Sequence, residues 1–149
     1  SIDIRIDAYI PDEYIRDEGQ KIEIYKKIAS IRSKEDYNDV EEEIEDRYGD
    51  FPPSVQNLMA IAYLKVLASR LRISSVVHRP GQLVLKFHDG KKIEPTVLLQ
   101  VLNEYRSKVS LSATQPPYFT WKDKNAGPEK LVKDVQAFLE KIIHLQNHG

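Results

Sequence analysis

The sequence contains no cysteine and only six glycines among its 149 residues. Without thiols there are no disulfides, no cysteine nucleophile and no cysteine-based zinc site. The glycines are too scattered for a GxGxxG or GxxxxGKS/T phosphate-binding loop, and there is no GxSxG nucleophile elbow. No apolar run approaches the roughly 20 residues that span a bilayer, and no signal peptide precedes the fold. These absences predict a cytoplasmic, non-enzymatic domain that has no cofactor of its own.

The charge is almost balanced, with 22 basic and 23 acidic residues and a formal net charge of -1. A dedicated duplex-DNA binder normally shows a basic excess or a dense basic stripe, so the balance argues against that class. The balance does not exclude a local basic patch that binds nucleic acid. The densest basic clusters after Lys26-Lys27 are Lys91-Lys92 and Lys122-Asp123-Lys124. Beside the last cluster, the aromatic rings that would stack on bases are Tyr118, Phe119 and Trp121. Aromatic residues in strands more often belong to the core.

Apolar residues alternate with polar ones from the first residues onward. The apolar set is Ile2, Ile4, Ile6, Ala8 and Ile10. A period of two predicts a half-buried strand. This strand begins without a lead-in, as in some natural proteins after processing or in an excised C-terminal piece of a longer chain. We expect the second, with Ser1 as a cloning remnant. Its partner strand is expected either within this chain or in the missing part.

Helices and then strands follow in an order that favours an α+β fold. Pro11-Asp12-Glu13 predicts a helix start, and the apolar face of that helix is Ile22, Tyr25, Ile28 and Ala29, widened by Ile24 and Ile31. The helix predicted over 54–72 is apolar nearly all round, which is typical of the centre of a core. The next predicted elements are two strands around a turn at 79–82 and a turn at Asp89-Gly90. They are followed by a helix from Pro95, strands near 109–111 and 118–121, and a helix from Pro128. We predict one domain over 1–149, with residues 146–149 frayed.

The helix predicted near 35–48 is strongly acidic. Ser33 is its expected N-cap, Asp36 is at the capping-box position, and Gly49 is the expected left-handed C-terminal cap. Its apolar residues form one narrow stripe, namely Tyr37, Val40, Ile44 and Tyr48. At about 100° per residue, the carboxylates that fall together on the outward side are Asp39, Glu42, Glu43 and Asp46.

This acidic face has two interpretations, a solvated surface or a docking surface for a basic partner. Like charges three and four residues apart destabilise a helix by a few tenths of a kcal/mol each, and Arg47 is the only basic residue within 35–48. Such repulsion favours compensation by arginines on another surface. General acid–base catalysis is disfavoured because exposed carboxylates are solvated. Calcium binding is disfavoured because the segment is helical, and His78 with His88 lacks the short ligand spacing of zinc sites.

Five segments, one of them the opening Ile-rich strand through Ile10-Pro11, resemble the C-terminal domain of bacterial transcription-repair coupling factors (the Mfd family). The main one runs from Ile44 to Pro52 as IEDRYGDFP, an Asp-Arg-aromatic-Gly helix end followed by proline. Val55–Leu58 (VQNL) and Ala62–Lys65 (AYLK) continue the likeness into the long apolar helix. Tyr25–Ala29 (YKKIA) resembles an upstream helix of the family. The likeness covers nearly the whole chain and is most specific up to residue 72.

The resemblance implies a regulatory role. The parent protein would be an ATP-driven DNA translocase, with ATP, Mg and DNA bound by motor domains absent here, that displaces stalled RNA polymerase and recruits UvrA. Its C-terminal domain would pack on a UvrB-like module, hide the UvrA-binding surface and restrain the motor. Glu43 and Asp46 occupy family positions whose carboxylates pair with arginines of that module. Asp39 and Glu42 join them by helical geometry alone, and Arg47, Tyr48 and Gly49 are expected to be structural. Two alternatives stay open. One is an appendage that contacts nucleic acid and assists the translocase, and the other is a scaffold for a different repair or transcription partner.

Overall fold

The computed structural model describes residues 1–88 and 93–148. Its elements, in chain order, are β1 (Ile2–Asp3), α1 (Glu18–Ala29), α2 (Lys34–Tyr48), α3 (Pro53–Arg70), β2 (Ile73–Arg79), β3 (Gln82–Phe87), α4 (Pro95–Glu104), β4 (Val109–Ser112), β5 (Tyr118–Lys122) and α5 (Pro128–His148). The α+β class is confirmed. The chain forms two compact units, a helical unit (Ile6–Val66) and a sheet unit (Ser1–Arg5 with Leu67–Gly149). That they act as one domain over 1–149 stays a prediction.

The helical unit begins with a tight turn rather than with the predicted helix at Pro11. The backbone amides of Tyr14 and Ile15 both donate to the carbonyl of Pro11, which closes a single turn. Helix α1 starts only after Asp17, whose side chain accepts a hydrogen bond from the amide of Gln20. A capping carboxylate satisfies an amide that the first helical turn leaves unpaired, so the helix begins where the cap is.

The buried side of α1 also differs from the predicted face. Ile24 and Ile28 are buried as expected, but Ile22 is 53% exposed and the stem of Lys21 is buried in its place. In α2 Ile44 is fully buried, while Tyr37, Val40 and Tyr48 are partly accessible. In α3 most of the predicted apolar positions are buried, with Met59 inaccessible to solvent. The rings of Tyr37 and Tyr63 lie 5.4 Å apart, which places α2 against α3.

The sheet unit contains one five-stranded sheet in the order β1-β2-β3-β5-β4. Among the described strands, only the β1–β2 pair is parallel, with Ile2 opposite Val76. The first strand therefore pairs within this chain, but its predicted extent to Ile10 is wrong. The amide of Arg5 donates to Nδ1 of His78 instead of to a backbone carbonyl of β2, so the ladder stops after two residues.

Helices α4 and α5 cover one face of the sheet. Alternate residues of β3 and β5 are buried on that face, and the ring of Phe138 lies 5.3 Å from Phe119 and 5.4 Å from Trp121. The predicted turn between β2 and β3 is confirmed, with Gly81 at a φ of +71°. The turn predicted at Asp89-Gly90 lies outside the described residues.

The last turn of α5 has a side-chain contact with the start of α4. The helix includes residues 146–148, which we expected to fray. The side-chain oxygen of Gln146 accepts a hydrogen bond from the amide of Glu94, 2.9 Å away, and this contact ties the last turn to the start of α4. In the part of the chain that the structure describes, no helix is long and apolar enough to cross a membrane.

Candidate protein-docking site on the acidic helix

Local hydrogen bonds fix both ends of α2. Oγ of Ser33 accepts from the amide of Asp36 at 3.0 Å, as predicted for an N-cap. The carboxylate of Asp36 accepts in turn from the amide of Arg32 at 3.0 Å, one residue earlier than in a standard capping box. At the other end, Gly49 has a φ of +90° and its amide donates to the carbonyl of Glu45. A helix held at both ends presents its outward side chains from a fixed backbone.

The outward side of α2 carries the predicted cluster of carboxylates. Asp39, Glu42, Glu43 and Asp46, here called the acidic ridge, line a shallow depression of about 400 Å³ together with Arg47. The opposite side of the helix holds Ile44, which is fully buried. The structure therefore brings the four sequence-predicted site residues together on one surface. Their contact with a partner stays a prediction.

Glu43 differs from the rest of the ridge because it is held by two cations. Its Oε2 accepts from Nζ of Lys27 at 2.5 Å and from Nη1 of Arg47 at 3.1 Å. Glu23 lies 3.5 Å from the same lysine and 3.7 Å from the same guanidinium. Two carboxylates and two cations thus form a network that ties α1 to α2. Sequence reasoning missed Lys27 and Glu23, because the crossing of the two helices gives no sequence signal.

The network also changes the acidity of Glu43. The hydrogen bond from Lys27 is the main reason that its pKa lies below the ordinary value, with Arg47 adding to the effect and partial burial opposing it. Each cation is stabilised in return, because the hydrogen bond to Glu43 raises the pKa of Lys27 and that of Arg47. Glu43 therefore stays ionised in more acidic solution than an isolated glutamate.

Glu43→Gln is expected to destabilise the chain at pH 7 by about 0.5–1 kcal/mol, the range of partly exposed ion pairs. Since the folded pKa of Glu43 is lowered, its contribution is complete above the ordinary value of 4.5 and is lost as the pH falls through the lowered pKa. Urea unfolding between pH 7 and about pH 3 measures the difference from the unsubstituted chain. Glu42→Gln is the matched control, and equal losses for both variants would contradict a structural role for Glu43.

The other three carboxylates of the ridge have no such partners. Asp39, Glu42 and Asp46 are exposed, and none forms an ion pair with another residue in 1–88 or 93–148. The whole helical unit has 8 Lys and Arg against 15 Asp and Glu, a net charge of -7. The ridge therefore carries uncompensated negative charge on a negatively charged unit.

The chemistry of this site is that of binding. Within the described ranges, no group of three or more His, Asp or Glu side chains is placed to hold a metal ion. The ridge lines an open, shallow depression and not an enclosed cleft, and none of Asp39, Glu42 and Asp46 is buried. Carboxylate oxygens spaced along a helix match guanidinium groups, which bind carboxylates through paired hydrogen bonds. A surface rich in arginine is the partner that this geometry suits.

Comparison with known proteins gives consistent matches. The family model of the TRCF domain matches residues 4–98. A transcription-repair-coupling factor of Bacillus subtilis is 30% identical over 148 residues, and the alignment covers 91% of this chain but 13% of that protein. One from Staphylococcus epidermidis is 43% identical over 115 residues, which are 77% of this chain and 9% of that protein. This chain thus spans only a small part of the curated relatives that it matches.

A solved structure is similar over almost the full chain. The crystal structure of the C-terminal domain of a transcription-repair coupling factor superposes with a TM-score of 0.85 at 25% identity, and the match covers 99% of this chain and 94% of that one. The family model covers more than half of the chain, and the fold agrees with the sequence match. The chain therefore belongs to the TRCF domain family, as the C-terminal part of a transcription-repair coupling factor.

Proposed function

We propose that this domain is an autoinhibitory protein-interaction domain of a transcription-coupled DNA repair translocase. It docks through the acidic ridge on a UvrB-like module upstream in the same parent chain. Docking masks the surface that binds UvrA and restrains the ATP-driven motor until engagement of RNA polymerase releases it. The observation that carries the proposal is the row of exposed carboxylates on α2 that have no ion-pair partner among the described residues.

The geometry supports arginine as the partner residue. Asp39, Glu42 and Asp46 recur at helical spacing, so three guanidinium groups of one surface can meet them at the same time. Glu43 contributes differently, because both of its internal bonds use Oε2. No hydrogen bond from a described group to Oε1 of Glu43 is formed, so this oxygen remains available to an arginine.

The mechanism is a two-state equilibrium. In the closed state the ridge binds arginines of the UvrB-like module. The open state, in which this contact is broken, is favoured when another partner competes for the same surface. A contact worth a few kcal/mol keeps the open population small and still allows a second partner to shift it. Because the ridge is exposed to solvent, its attraction is screened, and the closed state should weaken as the salt concentration rises.

The test is charge reversal on the ridge in the full-length protein. Glu42→Lys with Asp46→Lys should raise both the ATPase rate without polymerase and the affinity for UvrA, each at least about fivefold, which is the lower range of coupling between sites. These two positions are preferred to Glu43, whose reversal would also break the network with Lys27 and Arg47. Glu45→Lys is the control, since this exposed residue is on the same helix but outside the ridge.

The result that would overturn the proposal is an unchanged ATPase rate and unchanged UvrA binding in the double variant. Equal increases in the Glu45→Lys control would also overturn it, because they would show a general effect of charge. A second arm tests the partner directly. Arginine-to-glutamate changes on the facing surface of the UvrB-like module should release the motor alone and restore restraint when combined with the lysine variants.

A further inference from the structure

The sheet unit has a second surface whose charge is opposite to that of the acidic ridge. It consists of the side chains of β2, β3 and β5 on the face opposite α4 and α5, here called the outer sheet face. These residues line an open groove of about 600 Å³. The face is not a second apolar core, since its middle row holds Val77, Val84 and Thr120, all partly accessible.

Strand register places the cations of this face in two rows. Arg79 is opposite Gln82, which is opposite Lys122 on the next strand, so these side chains form one row across the sheet. Lys86 is directly opposite Tyr118 in a second row. The two rows are four residues apart along β3, which corresponds to about 13 Å. Positive charge is therefore present at both ends of the groove, with an aromatic ring beside one of the cations.

Within 1–88 and 93–148, no carboxylate is paired with these cations. The described residues that line the groove include no aspartate or glutamate. Arg79, Lys86 and Lys122 are exposed, and none of them forms an ion pair with another residue in the described part of the chain. The sheet unit has 14 Lys and Arg against 8 Asp and Glu, a net charge of +6. The near-neutral total of -1 thus conceals two units of opposite charge.

We propose that the outer sheet face binds single-stranded nucleic acid. Arg79, Lys86 and Lys122 contact phosphates, and the ring of Tyr118 stacks on one base. This combination of a cationic track with an aromatic platform is how sheets commonly bind single strands. The surface is separate from the acidic ridge, and the inference is independent of the autoinhibitory docking.

The arrangement favours a nucleic acid over an acidic peptide. Lys86 and Tyr118 are cross-strand neighbours, so a phosphate and the base next to it can be bound together. An acidic peptide would bind the cations through its carboxylates, but it would gain little affinity from the ring of Tyr118. A duplex is also disfavoured, because its bases are already stacked and only unpaired bases can stack on a side chain. Phe119 and Trp121, two of the rings considered for stacking from the sequence, are buried and take no part.

The experiment measures binding of a fluorescent oligothymidylate of about ten nucleotides by anisotropy at several salt concentrations. The 149-residue chain should bind, and binding should weaken as salt rises. Combined Lys86→Glu and Lys122→Glu substitutions should remove most binding and reduce the log–log salt slope by about 1.4, two phosphate contacts at 0.7 each. Tyr118→Leu should weaken binding about fivefold or more with the salt slope unchanged. Lys133→Glu on α5, away from the groove, is the control, and it is compared with the single variant Lys86→Glu so that both change the charge equally.

Three outcomes would overturn the proposal. The first is no binding of the oligonucleotide even at low salt. The second is equal loss of binding in Lys133→Glu, which would indicate a general charge effect rather than a site. The third is a combination of two results: Tyr118→Leu binds the oligonucleotide with unchanged affinity, and polyglutamate at the same charge concentration displaces the oligonucleotide. Together they would assign the face to an acidic protein. Circular dichroism of each variant verifies that the sheet is folded.

Discussion

Replacing Phe138 by alanine is expected to lower the free energy of unfolding by about 3–5 kcal/mol, the range for deletion of a buried aromatic ring. Phe138 is inaccessible to solvent, and its ring centre lies 5.2–5.4 Å from the rings of Tyr105, Phe119 and Trp121. These three rings come from the C-cap of α4 and from β5, and the ring of Phe138 packs against all of them. A domain of this size is stable by only about 5–15 kcal/mol, so a large share of the stability would be lost.

Urea unfolding followed by tryptophan fluorescence measures this loss in the sheet unit, because Trp121 is the only tryptophan of the chain. Leu99→Ala is the matched control, since Leu99 is on α4 in the same unit but is 70% exposed. It should change the stability by less than about 0.5 kcal/mol. A loss below about 1.5 kcal/mol for Phe138→Ala would contradict the central position of this ring.

Gly81→Ala should have the second largest effect, a loss of roughly 2–5 kcal/mol that combines positive-φ strain with steric overlap. Gly81 turns the chain between β2 and β3 at a φ of +71°. A Cβ atom there would lie 2.8 Å from Cα of Lys124 and 3.3 Å from the carbonyl oxygen of Asp123. This backbone cannot withdraw easily, because the amide of Asp123 donates to the carbonyl of Gly81 at 2.8 Å.

Gly49→Ala separates the two contributions. Gly49 has a φ of +90°, but an added Cβ would have no atom within 4 Å, so only conformational strain of about 1–3 kcal/mol is expected. The same urea titration, followed by far-ultraviolet circular dichroism for Gly49 and by fluorescence for Gly81, compares the two. A loss at Gly81 no larger than that at Gly49 would show that the turn relaxes without steric cost.

The acidic helix was predictable because its determinants are local. An N-cap at Ser33 and a glycine at the C-terminal end need only neighbouring residues, and the spacing of Tyr37, Val40, Ile44 and Tyr48 sets which side is buried. The outward position of the ridge then follows from helical geometry. The TRCF family was also predictable, since its motif is continuous in sequence around IEDRYGDFP.

Other features were not predictable because they depend on long-range contacts. The alternation from Ile2 to Ile10 indicated a long strand, but the amide of Arg5 bonds to a histidine 73 residues away and the ladder ends. The cations that hold Glu43 include Lys27, 16 residues distant, which is not on the same helix. The first long helix also begins after the N-cap Asp17 and not at Pro11, where the sequence predicted its start.

The sequence by itself determined the acidic helix α2, the apolar helix α3 and the common surface of Asp39, Glu42, Glu43 and Asp46, because each depends on spacing along one element. Only the tertiary structure decided which of those carboxylates are already neutralised, since Lys27 reaches Glu43 by a crossing of helices. It also decided which aromatic rings of β5 are exposed. Sheet pairing and the packing of α5 bury Phe119 and Trp121 and leave Tyr118 beside Lys86, because a strand alternates its faces and only its neighbours select the buried one.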